Sequence, residues 1–273
     1  MKKKFLVLSA MIMTGVFVLS SCNKELQTSG NDEPSLSAQS LRGNAEKVNV
    51  FKGPEVEMGN GIIRSWISIS HANIPQQIGI EIEDAALSGL PQNPADFAAA
   101  TFILPLHQKA HDMTAFDHIT VNWNVHGHEP DHVFDVPHFD FHFYMISVAE
   151  QTSIPPYPMA PADFDNLPPA SYWPDMYFPT PQGVPGMGKH WIDGFFAPPF
   201  SKTMIYGSYK GRFTFVEPMI TMSTIMSGIS YSIPYRQPHV FVPDHKFYPT
   251  VYNIYKDAVT AKHYVTLSNF VWR

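Results

Sequence analysis

Every second residue is apolar through residues 118–125, HITVNWNV. A strand sends successive side chains to opposite faces, so Ile119, Val121, Trp123 and Val125 share one face. His118, Thr120, Asn122 and Asn124 take the other, and His126 and His128 continue that row. Residues 138–148, HFDFHFYMISV, repeat the pattern: Phe139, Phe141, Phe143 and Met145 oppose His138, Asp140, His142 and Tyr144. The nine residues between, EPDHVFDVP (129–137), carry Pro130 and Pro137 and read as a loop. Strands joined this way are expected to pair antiparallel. Folding about Val133 sets His128 opposite Pro137 or His138, His126 near Asp140 and Asn124 near His142. The apolar faces would line a core, and the polar faces would merge into one patch. A one-residue register error would move the opposed pairs but leave the alternation within each strand intact.

Other segments fit the same class. GIIRSWISIS (61–70) and QQIGIEIED (76–84), separated by turn-prone Asn73 and Pro75, predict a hairpin. DAALSGLP allows one helical turn, stopped by Gly89 and Pro91, and ATFILPL (100–106) predicts a strand. A second hairpin is expected over 202–218, with Lys210-Gly211 at its turn. ITMSTIMSG predicts a short helix ended by Gly228, and KHYVTLSNFVW (262–272) a strand closing a sheet. Residues 154–199 hold 12 of the chain's 25 prolines, a density that argues against helices and central strands. The same stretch carries many aromatics, among them Tyr157, Phe164, Trp173, Trp191 and Phe196, so it predicts a long ordered loop over the core. The expected fold class is mainly β: an antiparallel sandwich or a partly closed barrel.

The N-terminus changes the setting. Lys2, Lys3 and Lys4 precede a short apolar run over 5–19, the pattern of a signal peptide over residues 1–21. Leu19-Ser20-Ser21-Cys22 resembles the bacterial lipoprotein box, which implies cleavage before Cys22, its lipidation, and firm anchoring to a membrane. Residues 22–47 are polar and without aromatics, and predict a flexible tether. Residues 48–273 then form one globular domain, or two subdomains, on the outer side of a bacterial membrane. The 18 Lys and Arg, less the three signal lysines, leave 15 against 24 acidic side chains, a formal charge of −9. A net-acidic chain without a basic stripe argues against nucleic acid as a partner.

Cys22 is the one cysteine, so disulfides and thiolate chemistry are excluded from the domain. Any metal must sit among His, Asp and Glu. Residues 126–142 hold five histidines where the chain's average gives about one, a local enrichment that points to metal. His126, His128, His138, Asp140 and His142 are the candidate ligands of a divalent transition ion, zinc or iron, while His132 lies in the loop and is a weaker candidate. His190, after Gly186 and Gly188, is a candidate distal ligand. Asp140 and Glu217 are candidate catalytic carboxylates, moving protons while the ion activates water or dioxygen. Such an enzyme would be a hydrolase, lyase or oxygenase acting on a small molecule. The alternative is a non-catalytic envelope module whose imidazoles form a hydrogen-bonded row.

Four segments together resemble a family of bacterial exported proteins of uncharacterised function, whose type member is a sigma-factor-regulated Thermus protein. They are VNWNVHGHEPDHVFDVPHFDFHFY, VPGMGKHW, MIYGSYKGRFTFVEPMIT and, more loosely, FYPTVYNIYKDAVTAKHYVTLSNF. The resemblance implies a mainly β fold, an extracytoplasmic setting and a homo-oligomer. It implies no reaction and no ligand set.

Overall fold

The computed structural model describes residues 48–93, 95 and 97–273. The expected signal peptide, Cys22 and the tether lie outside the described residues. Among the described residues thirteen strands run in chain order: β1 (Val48–Met58), β2 (Gly61–Ser70), β3 (Pro75–Ile82), β4 (Thr101–Pro105), β5 (His118–Asn124), β6 (His138–Tyr144), β7 (Tyr177–Pro179), β8 (Lys189–Asp193), β9 (Lys202–Tyr209), β10 (Arg212–Thr221), β11 (Tyr231–Pro234), β12 (Phe247–Lys256) and β13 (His263–Trp272). They build two antiparallel sheets, ordered β1-β2-β3-β13-β12-β11 and β4-β5-β6-β10-β9-β8-β7. The architecture is sandwich-like and mainly β, without barrel closure.

The apolar faces meet between the sheets. Ile63, Ile67, Ile78, Ile80, Ile82, Val265 and Leu267 of the first sheet share one buried cluster with Ile119, Val121, Phe139, Phe141, Phe143 and Val216 of the second. Each such side chain contributes roughly 1.5–3 kcal/mol on burial. The faces read from alternation in β5 and β6 are the faces observed. The β2–β3 and β9–β10 hairpins form as expected. Lys210 and Gly211 have φ of 50° and 79°, the positive pair that a two-residue turn matched to strand twist requires. The short helix Met222–Met226 starts at Thr221, whose side chain accepts from the Thr224 N–H.

Two expectations change. β13 does not close its sheet; it sits between β3 and β12. Residues 154–199 are not a loop throughout. A helix at Pro161–Asp165 begins with proline at its first position, where no N–H is needed. β7 and β8 extend the second sheet at its edge, where Pro179 on β7 breaks no further ladder.

The intervening chain covers the second sheet's other face. On one side Ile154, Phe164 and Met187 pack on Tyr144 and Phe215. On the other, Phe134 and Phe200 pack on Ile205 and Met219. The polar row predicted along β5 and β6 is therefore walled on both sides by apolar clusters and is buried.

Candidate metal centre

The register of β5 and β6 differs from expectation. Asn124 opposes His138, Asn122 opposes Asp140 and Thr120 opposes His142. The pairing is displaced by four residues, an even number, so each side chain keeps its face. The cause is the early end of β5 at Asn124. Residues 125–137 form a longer loop in which Gly127 takes φ 74° and a Cβ would collide with the Phe134 carbonyl. The His128 N–H donates to that carbonyl at 3.2 Å, folding the chain back over the sheet. His128 thus reaches Asp140 from the loop rather than from a strand. His126 is exposed and stands outside both groups described next, so it is not one of the ligands that converge.

The predicted set divides into two groups able to hold a metal ion: His128, His138 and Asp140, and His142, His190 and Glu217. In the outer group, His128 Nε2 lies 3.4 Å from Asp140 Oδ2, and His138 Nε2 lies 3.2 Å from Asp140 Oδ1. His138 Nδ1 is 2.7 Å from the Val136 carbonyl and His128 Nδ1 is 2.7 Å from the Glu129 carbonyl. A carbonyl oxygen only accepts, so each Nδ1 carries the hydrogen. A neutral imidazole then presents a bare lone pair at Nε2. Asn124 Nδ2 donates to Asp140 Oδ2 at 2.7 Å and orients the carboxylate. His138 Nε2 and Asp140 Oδ1 are buried and have no hydrogen-bond partner among the described residues. Their approach has the distance of a weak contact and the wrong direction for a hydrogen bond.

Burial opposes charge on Asp140, but the close approach of the His128 and His138 imidazoles outweighs it and holds the carboxyl well below its usual range. Burial also opposes charge on His128, and the Asp140 carboxylate outweighs it and raises the imidazole. An ionised carboxylate faced by two imidazoles with backbone-anchored Nδ1–H groups is the support found around metal-ligating histidines.

The inner group draws on three strands: His142 from β6, Glu217 from β10 and His190 from β8. His142 Nε2 lies 3.5 Å from Glu217 Oε1, and His190 Nε2 lies 3.7 Å from Oε2. Both ring nitrogens of His142 and Oε2 of Glu217 are buried without hydrogen-bond partners among the described residues. The Phe215 ring stands edge-on to both imidazoles, at 4.8 Å from His142 and 5.4 Å from His190. Phe215 fits there because Gly207 on β9 has no side chain; a Cβ would collide with the ring. Burial pushes His142 down to about 3 and His190 down to about 4. Burial, then the Asp140 charge, pushes Glu217 well above the usual carboxyl range.

Spacing favours ions over hydrogen bonds. Ligand bonds near 2.0–2.1 Å in a tetrahedral site put donor atoms about 3.3–3.4 Å apart. The four N···O separations, 3.2–3.7 Å, cluster around that edge length. Hydrogen-bonded histidines in the same molecule look different. His118 Nδ1 is 3.0 Å from Asp117 and its Nε2 is 2.8 Å from Gln151, and His263 Nε2 is 2.7 Å from Asp84. The exposed ring of His132 in the loop comes no nearer than 3.7 Å to Asp135 at Nδ1, while its backbone N–H donates to Asp135 Oδ2 at 3.2 Å.

Sequence reasoning had no role for Asn124 or Phe215. Asn124 was placed on the polar face by alternation, and the true register would have set it beside His138 and Asp140. Glu217 and His190, expected as additions to one site, instead build the second group around His142. Comparison with protein-family models, curated proteins and solved structures gives no match.

Proposed function

We propose that this chain is a lipid-anchored extracytoplasmic domain that binds a divalent transition ion, zinc(II) or iron(II), through His128, His138 and Asp140. The observation that carries the reading is the pair His138 Nε2 and Asp140 Oδ1, buried, 3.2 Å apart and without hydrogen-bond partners. Two imidazoles and a carboxylate suit either ion. Three protein ligands leave coordination positions for water or a small molecule, and the bound ion would supply Lewis-acid activation there. Access runs past His128, whose side chain is 40% exposed. His138 itself is buried and holds the donor set from below. The envelope setting rests on the N-terminal segment and on the resemblance described above.

Elemental analysis of the purified full chain beside the His138→Ala variant tests the reading. Wild type is expected to carry zinc or iron that the variant has lost from this site. Background metal in folded wild-type protein that also fails to take up added zinc(II) would leave the hydrogen-bonded histidine row as the account.

A further inference from the structure

We propose that His142, His190 and Glu217 form a second ion site, which takes a divalent transition ion independently of the outer group. The three ligand atoms lie within 4.8 Å of one another. Glu217 is 1% exposed and His142 is fully buried. A buried carboxyl stays ionised only beside a compensating cation or within a full set of hydrogen bonds, and even a neutral one needs hydrogen-bond partners for its oxygens. The ion partners of Glu217 among the described residues are His142 and His190, at separations too long for hydrogen bonds, and Oε2 has no hydrogen-bond donor. His142 has both nitrogens unpartnered, whereas His118, two strand positions from it across β5, has both satisfied. An ion at the centre of the three would engage Nε2 of each histidine and one or both oxygens of Glu217.

Asp140 and His142 are two residues apart on β6 and share a face, so their Cα atoms are about 6.7 Å apart. Ions bridged by one ligand sit only about 3.5–4 Å apart. The two groups share no ligand, so each would fill on its own. They also differ in access. The outer group opens at His128, 40% exposed, while the inner one is more closed: His142 and Glu217 are buried beside Phe215 and Tyr144, and His190 is 16% exposed. Its ligands join β6, β10 and β8 across β9, which bears Gly207 at that point. An ion there would fasten the edge strand β8 to the centre of the sheet.

Metal stoichiometry of the full chain, loaded with zinc(II) or cobalt(II) and desalted, separates the two sites. The His138→Ala variant is expected to retain one equivalent, and the His138→Ala, His190→Gln double variant none. Glu217→Gln, which is nearly isosteric, should likewise drop wild type from two equivalents to one. Circular dichroism establishes that each variant is folded. A folded His138→Ala protein at background metal would overturn the inner site while leaving the outer one standing. Retention of one equivalent by His138→Ala, with none in Glu217→Gln, would support the inner site and sink the outer one.

Discussion

His138 and Asp140 alternate onto one face of β6, and their side chains converge until Nε2 and Oδ1 are 3.2 Å apart with no hydrogen bond between them. Residues i and i+2 of a strand diverge little, so their side chains can lean together over a shared point. His128 completes that point from a loop, and Asn124 holds the carboxylate from the neighbouring strand.

Replacing Asn124 with alanine tests how far that support matters. The 2.7 Å hydrogen bond to Asp140 is lost and the carboxylate can rotate. Removal of such an orienting partner costs about 10- to 100-fold in metal affinity. Competition against a chromophoric chelator should show that weakening for zinc(II), with a melting temperature of the metal-free protein within a few degrees of wild type. Unchanged affinity would mean that Asn124 does not position Asp140.

The pH dependence of the metal-free protein follows from the buried groups. His142 and His190 are lowered in the fold to about 3 and about 4, so the stability they allow is present above the unfolded value of 6.5 and is lost as pH falls. Glu217 is raised, so its cost grows as pH rises above the ordinary glutamate value of 4.5. Between these two values the unfolded chain takes up two protons at the histidines, and the folded chain keeps one extra at Glu217. The net is one proton, a slope of about 1.4 kcal/mol per pH unit in favour of higher pH. Above pH 6.5 both histidines are neutral in either state, while the raised His128 and Glu217 each withdraw stability as pH rises. Urea unfolding of stripped protein should therefore show a maximum near pH 6.5. Stability at pH 5 equal to that at pH 6.5 would refute the assignment of buried neutral imidazoles.

Gly207→Ala should damage the inner group without touching a ligand. The new Cβ collides with the Phe215 ring, which must move towards His142 or His190. Overpacking of this kind costs about 1–3 kcal/mol. Denaturant unfolding of the metal-free variant is expected to show a loss in that range. Stability equal to wild type would mean that the ring has room to move.

The faces of β5 and β6 were legible because alternation is a local property, set by the pleat. Their register was not, because it depends on where β5 ends, and that is decided by the backbone of residues 125–137. Gly127 and the His128–Phe134 bridge fold His128 back over Asp140, a reach that no count of strand positions anticipates. The burial of the polar row was also hidden. Ile154, Phe164 and Met187 come from a proline-rich stretch, and Phe200 directly follows it; its aromatic content signalled order but not where it docks. β7 and β8, at three and five residues, are too short to show a period. β12 carries Pro249 within it, an argument against a strand that fails because Pro249 lies beyond the last β11 pair, Pro234–Val251. The histidine excess marked the segment that supplies members of both candidate groups, but it could not separate His126, which is exposed, from His128.

Anomalous diffraction from crystals of the zinc-loaded protein, collected on either side of the zinc absorption edge, tests the central claim most directly. The account predicts an edge-dependent peak about 2.0–2.2 Å from His128 Nε2, His138 Nε2 and an Asp140 carboxylate oxygen. Density there with no anomalous signal, at the height of a water and within hydrogen-bond distance of all three side chains, would contradict it.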